Sequence, residues 1–359
     1  MKKYLILFAI AFMGVSLIDA DACTGISLRA QDGSNVVART VEWAAGPMQC
    51  GYVVSPRGHM HQSYTPSGDN GLKYRGVYGY VGVYTEYEPF VVEGVNEAGL
   101  SAGLFFFPQY GEYAAYDPKN NDKTLCDMQF VSWVLSQFSS IDQLKDAINE
   151  IDLVTLNHNI GAVHWRIAEP DGRMAVLEVV AGVPHFYDNT LGVLTNAPGF
   201  QWHMTNLNKY VNLHPGSAAD NTIKRGVTLS SLGHGSAMLG LPGDFTSPSR
   251  FVRATFFQTT APVLATGFDT VIQAFHILNN FDVPIGSQHA KADIPKGLPS
   301  ATQFTSATDQ QGMKFYYRTA WNSNIRCICL NDIDFHKVKY QSHPLDEVQL
   351  QPVEMVKVK

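Results

Sequence analysis

Ala20-Asp21-Ala22-Cys23-Thr24-Gly25 is the stretch on which the reading of this chain turns. Before it, Lys2 and Lys3 precede a 14-residue apolar run from Tyr4 to Leu17, and Ala20-Asp21-Ala22 has a small-x-small form. A basic head, a short apolar core and a small-residue site are the three parts of a secretory signal peptide. The run falls short of the roughly 18–20 residues that a membrane anchor needs. A lipoprotein signal would carry a Leu-like residue where Ala20 stands. Residues 1–22 are therefore expected to be a cleaved signal, with Cys23 first in the mature chain. A thiol and a free α-amine would then share one residue. Only the thiolate is a strong nucleophile. An α-amine with a pKa of roughly 7.7–8.0 can take the thiol proton near neutrality.

Working outward, Thr24–Ala30 alternates as a strand, Gln31-Asp32-Gly33-Ser34 is a turn, and Asn35–Trp43 returns. The hairpin brings Arg39 and Glu42 back beside the start of the mature chain. Strand-like material fills residues 72–92 and Ser101–Pro108. Helices are predicted over Leu125–Gln137 and from Ser140, where Ser140 and Gln143 have capping-box spacing. Strands are predicted at Ala162–Ala168, Met174–Val180 and Leu191–Thr195, and a helix at Trp202–Tyr210. Residues 214–245, rich in Gly, Ser and Pro, read as a long ordered excursion. Helices at Ser249–Gln258 and Phe268–Asn279 follow, and strands at Thr302–Thr308, Met313–Ala320 and Ile325–Leu330 close the pattern. Strands and paired helices come in blocks. That order favours an α+β layered fold over an alternating doubly wound one, and a four-layer αββα sandwich fits it. No linker or repeat divides residues 23–359, so one domain is expected, with a polar tail from about His336.

The 359 residues carry a formal net charge of −6. Loss of residues 1–22 removes Lys2, Lys3, Asp19 and Asp21, two of each sign, and leaves that charge unchanged. A mildly acidic chain without a basic run argues against nucleic acid as a partner. No second long apolar stretch predicts a span in the mature form. Five cysteines (Cys23, Cys50, Cys126, Cys327 and Cys329) are too few and too odd for a disulfide framework. Cys327 and Cys329, on one face of a strand, are read as plain buried thiols. The 12 histidines show no metal-ligand spacing. No phosphate-cradling loop or Gly-x-Ser-x-Gly is present.

Several blocks then join up. Cys23-Thr24-Gly25, Arg39-Thr40-Val41-Glu42-Trp43, Asn96-Glu97-Ala98-Gly99-Leu100 and Ala102-Gly103-Leu104 are followed by Gly192-Val193-Leu194-Thr195-Asn196-Ala197-Pro198, Trp202-His203, Asn206-Leu207-Asn208 and Tyr210. Gly240-Leu241-Pro242-Gly243-Asp244-Phe245-Thr246, Ser249-Arg250-Phe251 and Phe275-His276-Ile277-Leu278-Asn279-Asn280 complete the series. In content and order these blocks resemble the choloylglycine hydrolase family, the N-terminal-nucleophile cysteine hydrolases that include conjugated bile acid hydrolases and penicillin V acylases.

The resemblance implies the N-terminal-nucleophile hydrolase fold and an amidase with no cofactor and no metal. It implies Cys23 as nucleophile, Arg39 beside the thiolate, and Glu42, where the family usually has Asp, holding the new α-amine. Asn196 would donate its amide to the oxyanion, and Arg250 would complete the charged set. Phe105 stands where family members often carry Asn or Tyr. It cannot donate a hydrogen bond, so a backbone N–H near it would assist Asn196. Trp43 and Phe105 are candidates to line the substrate pocket. The implied substrate is a glycine- or taurine-conjugated bile salt, with penicillin V or another N-acyl amide as the alternative. A non-catalytic secreted binding protein on the same fold is the reading from another class. The segment at about 211–245 resembles the part that helps assemble a homotetramer, and the leader resembles that of periplasmic members from Gram-negative bacteria.

Overall fold

The computed structural model describes residues 23–156 and 161–358. The expected signal peptide, residues 1–22, lies outside the described residues.

The hairpin forms as its sequence dictates. β1 (Thr24–Arg29) and β2 (Asn35–Glu42) pair antiparallel, with Thr24 opposite Thr40 and Gly25 opposite Arg39. In the turn, Asp32 Oδ1 accepts the Ser34 N–H at 2.9 Å and Gly33 takes a φ of 91°. That left-handed conformation suits a residue without Cβ. The free edge of β2 pairs with Thr302–Asp309, which continues to Lys314–Thr319 and Arg326–Cys329, giving a five-stranded antiparallel sheet.

A second antiparallel sheet has eight strands. Its order is Val183–Asp188, Met174–Val180, Val163–Ala168, Ser101–Phe106, Val91–Asn96, Tyr80–Thr85, β3 (Cys50–Ser55) and Gln341–Pro344.

Every residue of β2 is buried, so the strand must be covered on both faces. Val36 and Ala38 meet Val271 and Ala274. These lie on the apolar stripe of a helix, Gly267–Leu278, whose Thr266 cap accepts the Asp269 N–H at 3.1 Å. On the other face, Val37 packs with Ala168 and Met174 of the eight-stranded sheet. A second helix, Ser247–Thr259, lies on β1. The outer face of the larger sheet carries the helix Phe130–Gln137, whose Leu135 sits against Gly94. The layers therefore run helix, sheet, sheet, helix, the four-layer αββα sandwich expected from the block order.

Several local expectations change. The helix expected from Leu125 starts at Phe130, and Thr124–Cys126 is a short strand paired with Asp152–Val154. Ser63 Oγ accepts the Cys126 N–H at 2.8 Å, so that amide is taken from any helical ladder. Leu191–Thr195 forms only a single bridge, Gly25 with Leu194. Asn189 ties this loop, accepting from Gly192 N–H at 2.8 Å and donating to the Val193 carbonyl at 3.0 Å. Ser140 does cap the helix Ile141–Ala147, but Gln143 Oε1 accepts from the Ser139 N–H rather than from Ser140. Cys327 and Cys329 are not buried thiols: the first is exposed and the second half-buried, on the edge strand of the five-stranded sheet. The polar tail is docked in part, because Gln341–Pro344 pairs with β3 and Leu345 is buried. Among the described residues no helix is long and apolar enough to cross a membrane.

Candidate active site

Cys23 is buried at the entry to β1. Two residues on, Gly25 allows a close approach: a Cβ there would come within 2.8 Å of the Phe105 ring tip. Glycine thus lets β1 lie directly on Phe105, and alternation along the strand turns Cys23 toward the same space between the sheets. Arg39, opposite Gly25, spreads its guanidinium 3.9 Å above the Phe105 ring centroid. Its Nη1 donates to the Leu104 carbonyl at 2.5 Å and the Val92 carbonyl at 3.3 Å.

Arg39 is also part of a buried charge cluster. Its Nη1 lies 3.6 Å from Glu93 Oε2, while Glu93 Oε1 pairs with Arg166. All three side chains are almost fully buried. Two guanidinium groups share one carboxylate, so the cluster keeps one net positive charge in a low-dielectric layer beside Cys23.

Arg250, on the helix Ser247–Thr259, reaches the site from the opposite side of β1 and is itself buried. It donates to the Cys23 carbonyl, to Thr24 Oγ1 at 2.8 Å and to Asn196 Oδ1 at 2.7 Å. Burial pulls its pKa down to about 10, against the opposing pull of Glu42 and Cys23. Asn196 Oδ1 accepts a second bond, from the Cys23 N–H at 2.9 Å. Two donors on one atom identify it as the oxygen of the amide. Asn196 Nδ2 donates one hydrogen to the Phe106 carbonyl at 2.9 Å, and its second meets no acceptor among the described residues.

Glu42, at the end of β2, lies two residues past Thr40, the partner of Thr24, and so at the level where the chain enters β1. Its Oε1 accepts from Thr302 Oγ1 at 3.2 Å, and its buried Oε2 makes no hydrogen bond among the described residues. Burial pushes its pKa up to about 8, although Arg250 opposes the shift.

Cys23, Arg39, Glu42, Asn196 and Arg250, spread over more than 200 positions of sequence, thus converge at one end of β1. The two aromatic candidates differ. Trp43 is half-buried just beyond β2, its N–H bonded to the Ala301 carbonyl at 2.7 Å. Phe105 is fully enclosed, which gives it the place of a platform under Arg39 instead of a wall of an open pocket. The sequence reading also passed over Glu93 and Arg166. The available signal was a charge within the apolar run Trp165-Arg166-Ile167. Among the described residues no cluster of three or more His, Cys, Asp or Glu side chains could hold a metal ion.

A buried cysteine at a strand entry, beside an amide and buried guanidinium groups and between two sheets faced by helices, is the arrangement of the N-terminal-nucleophile hydrolase fold. Residues 23–343 match the family model described as linear amide C–N hydrolases, choloylglycine hydrolase family. The chain belongs to the choloylglycine hydrolase family and is a linear amide C–N hydrolase. It is 32% identical over 329 residues to a bile salt hydrolase/transferase of Clostridium perfringens, covering 88% of this chain and 95% of that one. A bile salt hydrolase/transferase of Lactiplantibacillus plantarum is also 32% identical, over 75% of this chain and 82% of its own. The structure of a variant of the conjugated bile acid hydrolase from Clostridium perfringens aligns with a TM-score of 0.80 at 27% identity, over 93% of this chain and 100% of that one. Penicillin V acylase from Agrobacterium tumefaciens shares the fold, with a TM-score of 0.69 at 22% identity over 88% of each chain.

Proposed function

We propose that this chain is a conjugated bile salt hydrolase that becomes active on cleavage after Ala22. The observation that carries the reading is the joint hold of Asn196 Oδ1 on the Cys23 N–H and on Arg250. It ties nucleophile, oxyanion donor and cation into one unit. Cleavage turns the Cys23 amide into a free amine. Glu42, with one buried oxygen unused, is the carboxylate that receives the resulting ammonium. The start of the family match at Cys23 supports the same cut.

The α-amine takes the thiol proton, and the thiolate, favoured by Arg39 and Arg250, attacks the amide carbonyl. The spare Asn196 Nδ2–H and a backbone N–H near Phe105 receive the oxyanion. The ammonium then gives its proton to the leaving glycine or taurine nitrogen. The C–N bond breaks and an acyl-thioester remains. Water, deprotonated by the same amine, attacks the thioester, and the thiol is restored as the acid leaves.

The bile-salt preference is supported by the two relatives above 30% identity. On this reading residues 1–22 are an export signal and the mature enzyme works in the periplasm of a Gram-negative bacterium or as a secreted protein. It assembles as a homotetramer through the excursion after Tyr210, where Ile223, Leu229, Leu232 and Leu239 are exposed.

The test compares initial rates on glycocholate, taurocholate and penicillin V, with Cys23→Ala as control. Faster turnover of a bile salt is expected, and faster turnover of penicillin V would reverse the substrate assignment. Full activity in Cys23→Ala would end the thioester mechanism, whereas no turnover of any of the three by a chain that keeps its leader would favour the binding-protein reading. Intact mass of the exported protein should place its first residue at Cys23, and light scattering should give four chains.

A further inference from the structure

The backbone around Asn196 is gripped by side chains that take no direct part in the steps above. The Asn196 N–H donates to Ser247 Oγ at 3.0 Å. The Asn196 carbonyl lies 2.9 Å from His203 Nε2. The preceding carbonyl, of Thr195, lies 3.0 Å from His164 Nε2. A carbonyl oxygen can only accept, so both Nε2 atoms carry hydrogen.

His203 Nδ1 is buried and makes no hydrogen bond among the described residues, which assigns the neutral Nε2–H tautomer. Burial lowers its pKa to about 4 and keeps it neutral in ordinary buffers. Its ring stacks on Phe251 with centroids 4.6 Å apart. His164 stacks on Phe107 at 4.4 Å, and its Nδ1 lies 3.2 Å from Glu178 Oε1. That oxygen also accepts the Phe200 N–H at 2.8 Å. Each imidazole is thus fixed in plane and rotation, with its Nε2–H aimed at one of two consecutive carbonyls. An oxyanion donor must be held to within about 0.5 Å by its supporting shell. The Asn196 side chain is held by the Cys23 nitrogen, by Arg250 and by the Phe106 carbonyl, so two of its three partners belong to the reacting set. Its backbone is where an independent hold can act.

We propose that Ser247, His203 and the His164–Glu178 pair are positioning residues, which clamp the Thr195–Asn196 backbone so that the spare Nδ2–H of Asn196 meets the developing oxyanion. The inference rests on the reading of Asn196 as oxyanion donor.

The test uses the full enzyme, verified by mass to begin at Cys23, and four variants: Asn196→Ala, His203→Leu, His203→Gln and the double Asn196→Ala/His203→Leu. The readouts are kcat and KM on glycocholate and the rate of Cys23 alkylation by iodoacetamide. His203→Leu should lower kcat about 10- to 100-fold with KM within about twofold, as loss of a supporting shell does. Alkylation of Cys23 should keep its wild-type rate, since the thiol is untouched. His203→Gln, which returns an N–H near the Nε2 position, should recover most of the loss. The double variant should be no slower than Asn196→Ala alone, because the clamp acts only through that side chain.

Wild-type kcat in His203→Leu, multiplying losses in the double variant, or alkylation lost together with turnover would each overturn the clamp. Wild-type kcat in Asn196→Ala would instead overturn the oxyanion reading beneath it. A slow Asn196→Ala beside a normal His203→Leu would sink the clamp alone. If His203→Leu is insoluble, Ser247→Ala carries the same arms, as it removes one hold at a half-buried position.

Discussion

If the chain is cut after Ala22, as proposed, the Glu42 carboxyl is buried before the ammonium that would pair with it exists. Burial lifts its pKa from the ordinary 4.5 to about 8. The folded chain then binds a proton that the unfolded chain has released, so stability should fall as pH rises from about 4.5 to 8. In the uncleaved protein, Glu42→Gln should flatten that part of the Tm-against-pH curve. In the cleaved enzyme the same change should lower kcat, because a neutral amide cannot balance the ammonium. An unchanged slope in the first measurement would show that Glu42 is already ionised. Arg250 offers a sharper contrast with lysine. Three acceptors surround its guanidinium in a fixed fork, the Cys23 carbonyl, Thr24 Oγ1 and Asn196 Oδ1. A lysine keeps the charge but cannot span them. Arg250→Lys should therefore cost activity about 10²–10³-fold, the size of a lost oxyanion donor, through misplacement of Asn196. Turnover within threefold of wild type would show that charge alone suffices.

β1 is the element on which the site depends, and Gly25 is its most demanding position. An added methyl would meet Phe105 at 2.8 Å, and Phe105 has no room to retreat beneath Arg39. Gly25→Ala should destabilise by about 1–3 kcal/mol, the usual cost of overpacking a filled layer. It should also reduce kcat by lifting Cys23 off the Arg39 side. Urea unfolding and steady-state kinetics on one preparation would check both. Elements of this kind were legible in sequence. The β1–β2 hairpin, Met174–Val180 and the helix Gly267–Leu278 follow from alternation, turn residues and a 3.6-residue stripe. Elements that failed did so for identifiable contacts. Thr124–Cys126 is strand because Ser63 claims a backbone amide, and Gln341–Pro344 is strand because β3 offers a free edge. Neither partner is near in sequence, so local pattern could not reveal it.

Across the whole molecule, buried polar side chains extend beyond the site. His203, buried on the helix Phe200–Asn206 against Phe251, is kept neutral, with a pKa of about 4. An unfolded histidine would take up a proton near 6.5, so stability should fall as pH drops from about 6.5 to 4. The loss traceable to His203 is on the order of 1–3 kcal/mol. It should appear as a lower Tm at pH 4.5 than at pH 7, reduced in His203→Gln. A flat curve would mean that the ring charges without penalty.

The sequence alone determined the hairpin that Cys23 precedes and the order of strand and helix blocks, and it named Cys23, Arg39, Glu42, Asn196 and Arg250 as one candidate set, which the fold brings together. The hairpin and the block order are properties of local pattern, and the set rests on the resemblance of blocks kept in family order. Only the tertiary structure decided which hydrogen-bonding atoms are spent and which remain. Cys23 meets Asn196 across 173 residues and Arg250 across 227. The Glu93 link from Arg39 to Arg166 and the histidine grip on Asn196 depend in the same way on packing of distant strands. A buried polar group must find its partner in space, and no spacing along the chain records where that partner is.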